Sequence, residues 1–315
     1  MDDILTQPAT EVARMLRGRQ LSARELTEAQ LARIEAVNPR LNAVVELRAT
    51  QALAEAAAAD QAAGRAADGR ELGPLHGVPM TIKDSFDVAG LHTTWGNPAF
   101  ADYLAAADAT VVRRLRQAGA VILGKTNVAA MLADFGQTAN ELYGATTNPW
   151  DPARTPGGSS GGAAAAVAAG LSFLEYGSDL VGSIRIPASY CGVYGLRPSV
   201  GVVPLTGFQP PGPPAGPSDM TYMSAVGPLA RSAADLRVAL AATAGPEGPA
   251  AVAAAAPPEE PPGVRAGSHG LPVTPCSWLA VWPKSPSMKA TLVLPTRIAP
   301  AARSRRATVA SAPAT

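Results

Sequence analysis

Two serines and a lysine stand out as groups able to do chemistry. Lys83 follows Met80-Thr81-Ile82 and lies near Phe86 and Val88, a setting that desolvates an ammonium and lowers its pKa from about 10.4. An amine tuned that way serves as a general base near neutral pH. The plainer reading is a snorkelling lysine paired with Asp84 or Asp87. Ser159 sits within Gly157-Gly158-Ser159-Ser160-Gly161-Gly162, at the start of an Ala-rich helix. Outward N–H groups at such a start attract anions, but the P-loop needs Lys-Ser/Thr after its last glycine, where Ala163 and Ala164 stand. Gly157-x-Ser159-x-Gly161 also fits a nucleophile elbow, which requires a later histidine; His269 is the one that follows, and His76 and His92 come before. Ser183 follows Gly182 at the end of the loop Gly177–Ser183, where successive backbone N–H groups either converge on a carbonyl oxygen as an oxyanion hole or form an ordinary tight turn.

The elements that must hold these residues read as a layered α/β domain. Thr10 precedes the apolar series Val12, Met15, Leu16, and Ser22 stands three positions before Glu25 in capping-box spacing. The second helix carries Leu26, Ala29, Leu31 and Ile34 and is predicted to stop before Asn38-Pro39; a third runs from about Ala49 to Ala63, with Gly64 as its stop. Met80–Ile82 reads as a strand, Thr110–Ala118 as a helix, Ala120–Leu123 as a buried strand, and Leu171–Tyr176 as another after the glycine-rich helix. Helix followed directly by apolar strand indicates α/β layers.

The 315 residues, 47% hydrophobic, suffice for a substantial core, and 5% aromatics make that core lean on Ala, Val and Leu. Cys191 and Cys276 make no disulfide framework and have no histidine at metal spacing, so no metal or cofactor is expected. The acidic opening MDDILTQPAT and the lack of an 18-residue apolar run predict a cytoplasmic protein without membrane contact. Only Lys83, Lys125, Lys284 and Lys289 among 26 basic residues are lysine. Residues 1–250 hold 19 Lys+Arg against 23 Asp+Glu, whereas 251–315 hold 7 against 2. The basic tail lacks interleaved aromatics or a dense cluster beyond Arg303, Arg305 and Arg306, so nucleic acid is not the expected partner.

Lys83, the 157–162 motif and Gly182-Ser183-Ile184-Arg185-Ile186-Pro187-Ala188, with 24 positions from Ser159 to Ser183, together resemble the amidase signature family. GPLHGVPMTIKDSFDVAG (73–90), GAVILGKTN (119–127), YGATTNPWDPARTPGGSSGG (143–162), CGVYGLRPSVGVVP (191–204) and GPLARSAADL (227–236) look like family segments in family order, and the likeness covers roughly residues 8–245. It implies the amidase signature fold, a mixed sheet between helical layers, and a hydrolase of carboxylic amides. By the resemblance Ser183 is the nucleophile, Ser159 in a cis Gly158–Ser159 bond relays its proton, and neutral Lys83 is the final base. Ser160, Gly158, Asp179 and Arg185 support them, and the N–H groups of Leu180, Val181, Gly182 and Ser183 form the oxyanion hole. An acyl-enzyme would release ammonia or an amine before hydrolysis, with a small-molecule amide as substrate and a homo-oligomer left open.

Two departures from the family pattern matter. Val181 stands where the family commonly has Gly, and a β-branched residue tolerates positive φ badly. Residues 246–315 read as a low-complexity, disordered tail behind an incomplete domain over 1–245, with the C-terminal part of the sheet missing. A frameshift or premature end is the expected cause, leaving apolar surface exposed and prone to aggregate. Two alternatives stay open: the A subunit of a glutamyl-tRNA amidotransferase, and an inactive truncated chain. GVYGLRPSVGVVPL and SDLVGSIR look closer to stand-alone amidases.

Overall fold

The computed structural model describes residues 2–66, 71–134, 136–212, 223–247 and 291–293. Its helices are α1 (Asp2–Leu5), α2 (Ala9–Arg17), α3 (Ala23–Leu41), α4 (Ala49–Arg65), α5 (Thr110–Gln117), α6 (Gly161–Ala168), α7 (Arg185–Cys191) and α8 (Ala233–Thr243). Its strands are β1 (Val44–Leu47), β2 (Pro79–Lys83), β3 (Val121–Thr126), β4 (Ala139–Asn140), β5 (Gly144–Ala145), β6 (Leu174–Asp179), β7 (Tyr194–Arg197), β8 (Ala225–Ala230) and β9 (Thr291–Val293).

Two sheets carry the molecule. One has the order β1-β3-β2, with β2 parallel and β1 antiparallel to β3; the other has the order β6-β8-β7-β9 and is antiparallel throughout. β2 lies alongside β6, and the Thr81 amide donates to Ser172 Oγ across that seam at 3.0 Å. Helix α4 packs on β3, α3 and α6 on β2, α6 also on β6 and β8, and α8 on β7 and β8. This is the mixed α/β architecture that the resemblance implies. Every residue of β2, β3, β6 and β8 is buried, which fits the largely apolar sequences of β2, β3 and β8, whereas β6 buries Glu175, Ser178 and Asp179. Alanine fills much of the core: Ala163 to Ala166 of α6 are all buried, and the small side chains let that helix lie close to the strands. Among the few aromatics, Phe208 packs against Phe86 and Trp95, each with ring centroids 5.0 Å apart.

Several boundaries differ from the sequence reading for identifiable reasons. Helix α2 begins at Ala9 rather than being capped by Thr10, because the Thr10 amide and hydroxyl both donate to Asp235 Oδ1 of α8 at 2.8 Å. Ser22 does cap α3, accepting from the Glu25 amide at 3.2 Å, but the reciprocal partner is Asp60 of α4, which takes the Ala23 amide and the Ser22 hydroxyl. The same helix runs through Pro39 to Leu41 instead of stopping before Asn38. Pro39 is exposed, so the carbonyl it leaves unpaired faces water. Asn38 then organises the exit, its Oδ1 accepting from the Ala43 and Val44 amides, and Asn42 closes the helix in the left-handed conformation at φ 52°. Helix α4 continues past Gly64 to Arg65. β6 is shifted C-terminally, to 174–179, because residues 177–179 pair with Gly227, Val226 and Ala225 of β8.

Within the segment read as a tail, β9 pairs antiparallel with β7 in the register Gly195↔Val293, Leu196↔Leu292, Arg197↔Thr291. The remainder of the 246–315 reading lies outside the described residues, apart from Pro246 and Glu247.

Candidate active site

Lys83 ends β2 fully buried, and its Nζ donates to three hydroxyls: Ser159 Oγ at 2.8 Å, Ser160 Oγ at 2.9 Å and Ser178 Oγ at 2.9 Å. Burial pushes its pKa down to about 7, against the pull of Asp179 and Glu175. It is therefore not the snorkelling lysine of the plainer reading. Asp84 instead meets the other buried lysine, Lys125, at 3.4 Å, and accepts from the Thr94 amide and hydroxyl. An ammonium has three N–H donors and here finds three acceptors. When it loses a proton, one contact must reverse, with a hydroxyl donating to the amine. Ser160 already donates to the Ser178 carbonyl at 3.4 Å, so its hydrogen is committed and Ser159 and Ser178 keep theirs for the amine.

The 157–162 glycines answer to close packing, not to an anion. A Cβ on Gly158 would stand 2.1 Å from the Gln137 carbonyl oxygen, one on Gly161 2.3 Å from Thr138 Oγ1, and one on Gly162 2.4 Å from the Asn127 carbonyl oxygen. The amides that a phosphate would need are taken: Gly161 donates to Thr138 Oγ1 at 3.0 Å and Ser160 to the Ser183 carbonyl at 3.2 Å. The Gly158–Ser159 peptide is cis. The elbow reading of Ser159 gives way to its contact with Lys83, while His269 lies outside the described residues.

Ser183 closes the loop between β6 and α7. The loop is wound round Asp179, which is buried and accepts from the amides of Gly182 (2.8 Å), Ile184 (3.1 Å) and Arg185 (3.3 Å). The Arg185 guanidinium grips both carboxylate oxygens, at 3.0 and 2.9 Å, and Arg197 approaches Oδ1 at 3.3 Å. Burial would raise the Asp179 pKa, but the Arg185 and amide hydrogen bonds outweigh it and hold the carboxyl below its ordinary value. The Gly182 amide, expected in the oxyanion hole, has a single hydrogen and gives it to Asp179. The Leu180, Val181 and Ser183 amides have no hydrogen-bond partner among the described residues. Val181 keeps an ordinary φ, and the unusual angle falls on Gly182 at φ +132°. The replacement of Gly by Val181 therefore leaves the loop unstrained. Ser183 is 4% exposed, and its hydroxyl has no partner among the described residues. The Ser160–Ser183 backbone bond brings the two serine turns together without a direct hydrogen bond between the Ser183 and Ser159 hydroxyls, a contact that in resting sites often tightens only with substrate.

Sequence reasoning passed over Ser178 and Glu175. Ser178 had the signal of standing beside Asp179 in the motif; Glu175 had a clearer one, a carboxylate inside the apolar run Leu171–Tyr176. Among the described residues no group of three or more His, Cys, Asp or Glu is placed to hold a metal, and no helix is long and apolar enough to cross a membrane.

The Amidase family model matches residues 25–271. The indoleacetamide hydrolase of Bradyrhizobium diazoefficiens is 47% identical over 232 residues, covering 74% of this chain and 43% of that protein. The A subunit of the glutamyl-tRNA(Gln) amidotransferase of Moorella thermoacetica is 44% identical, covering 75% of this chain and 46% of that protein. The native peptide amidase of Stenotrophomonas maltophilia superposes with a TM-score of 0.69 at 38% identity, over 80% of this chain and 51% of that one. The chain thus spans about half the length of the relatives it matches.

Proposed function

The chain belongs to the amidase family, and from that premise we propose that Ser183, Ser159 and Lys83 hydrolyse a carboxylic amide through an acyl-enzyme. The observation that carries this reading is the Lys83 amine, buried, without a carboxylate partner among the described residues and hydrogen-bonded to three hydroxyls. Such an amine is neutral in a substantial fraction at pH 7 and has a lone pair for the Ser159 proton.

Ser183 Oγ attacks the carbonyl carbon as its proton passes to Ser159 and that of Ser159 to Lys83. The oxyanion is met by the unpartnered amides of the 180–183 loop, held in place by Asp179 and Arg185. Collapse breaks the C–N bond, and the leaving nitrogen takes the proton back through Ser159, departing as ammonia or an amine. Water then attacks the ester, Lys83 again accepting the proton through Ser159, and the carboxylic acid leaves. The reading needs no metal, cofactor or nucleic acid, places the reaction in the cytoplasm, and is compatible with a homo-oligomer. Likeness to the amidotransferase relative supports a second reading, in which the amide is supplied by glutamine and activity depends on partner subunits and glutamyl-tRNA.

A fluorophosphonate probe tests the proposal. Covalent labelling is expected in the wild type, lost in Ser183→Ala and slowed about 10²-fold or more in Lys83→Ala. A folded wild-type chain that never labels overturns the hydrolase reading, and hydrolysis that appears only with partner subunits and glutamyl-tRNA favours the amidotransferase.

A further inference from the structure

Glu175 is a buried carboxyl that the proposed reaction does not use. It stands on β6, fully buried, and takes hydrogen bonds from neutral donors: Thr126 Oγ1 at 2.9 Å to Oε1 and the Tyr176 amide at 2.9 Å to Oε2. It forms no ion pair among the described residues. Thr126 is the residue paired with Lys83 across the β2–β3 ladder, so the carboxylate is bonded to the cross-strand neighbour of the lysine. Adjacent strands lie only about 4.8 Å apart, which brings two buried, ionisable groups, each without an opposite charge at contact, into one dry region.

The surrounding charges are few. On β6 itself Asp179 is already engaged by Arg185 and Arg197. On β2 the facing cation is Lys83; β8 and α6, both packed against β6, contain no titratable residue. On β3, Lys125 is turned to Asp84 and to the Phe86 and His92 carbonyls, leaving the Thr126 hydroxyl to face Glu175.

We infer that Glu175 is a positioning residue for the base, its carboxylate stabilising the ammonium form of Lys83 and so fixing the pH below which proton relay through Ser159 stops. The inference rests on the Ser-Ser-Lys reading for its catalytic consequence but not for its electrostatic one. Burial pushes the Glu175 carboxyl up to about 7, into the range of Lys83 itself, so the two titrate as a coupled pair. Removing the negative charge makes the ammonium easier to deprotonate. Lys83 in Glu175→Gln therefore titrates lower by roughly one pH unit or more, the size of a unit charge about 12 Å away or nearer at an effective dielectric of about 20.

With four lysines in the chain, NMR of protein carrying [13Cε]lysine follows Lys83 directly, its signal assigned by loss in Lys83→Met. In the wild type the Lys83 curve is expected to be broader than that of a lone group, and in Glu175→Gln to sharpen and move about a unit or more lower, with the acid limb of fluorophosphonate labelling moving by the same amount. A wild-type curve as sharp as a lone group's overturns the inference even if Glu175→Gln does not fold; a folded Glu175→Gln with Lys83 unmoved also overturns it. Absent labelling alongside a coupled titration overturns the hydrolase reading alone.

Discussion

At the scale of single residues, the site turns on what burial does to two ionisable groups. Lys83 titrates near 7 in the folded chain and near 10.5 unfolded, so between those values the folded state holds fewer protons and stability rises with pH. Glu175 titrates near 7 folded and near 4.5 unfolded, so between those values the folded state holds more protons and stability falls with pH. The two tendencies combine into a stability minimum near neutrality. The stability gained by a Lys83→Met/Glu175→Gln double variant, measured by urea unfolding, should be largest near pH 7 and shrink toward about pH 5 and pH 10. The proposed catalytic groups were legible in the sequence only as a set, through the resemblance their strings carry in family order, since each string alone favoured a plainer reading; the scarcity of lysine directed attention to Lys83 and Lys125. What each lysine does was not legible: both are buried, and only the pairing of strands shows that one meets hydroxyls while the other clamps Asp84 and the carbonyls of Phe86 and His92.

At the scale of elements, the loop between β6 and α7 is shaped by one carboxylate and one glycine. Gly182 holds φ +132°, and a Cβ there would stand 2.7 Å from Ile186 Cδ1. The contact is with the end of a flexible side chain and is relieved easily; the backbone angle is not. Gly182→Ala should therefore cost about 1–3 kcal/mol and abolish Ser183 labelling, and adding Ile186→Ala should not restore it. Restoration would show that crowding, not backbone angle, was the requirement. The strands and helices themselves were readable from apolar runs and caps, but their ends were not, because distant partners decide them. Asp235 draws Thr10 into a contact outside its own helix, Asp60 completes the α3 cap, and β8 extends β6 to residue 179. None of these partners lies near in sequence, so no local pattern contains them.

At the scale of the whole molecule, the chain presents large apolar side chains to solvent, among them Trp150 at 63% and Tyr190 at 51% exposure. They belong to one neighbourhood, since Trp150 Nε1 donates to the Cys191 carbonyl and Asn148 Nδ2 to the Tyr190 carbonyl. Exposed aromatic surface of this kind drives association. Sedimentation of the purified chain should show concentration-dependent self-association that weakens in a Trp150→Lys/Tyr190→Lys variant; an unchanged profile would place the sticky surface elsewhere. A different consequence follows from the seam between β2 and β6. The proposed base, Lys83, is delivered by one sheet and its serine partners come from, or lean on, the other, with the Thr81–Ser172 contact and the Lys83 hydroxyl cluster as the polar stitches between them. Sliding one sheet past the other would part acid from base while every ladder of backbone pairs stayed whole, so the chemistry is more fragile than the architecture that carries it.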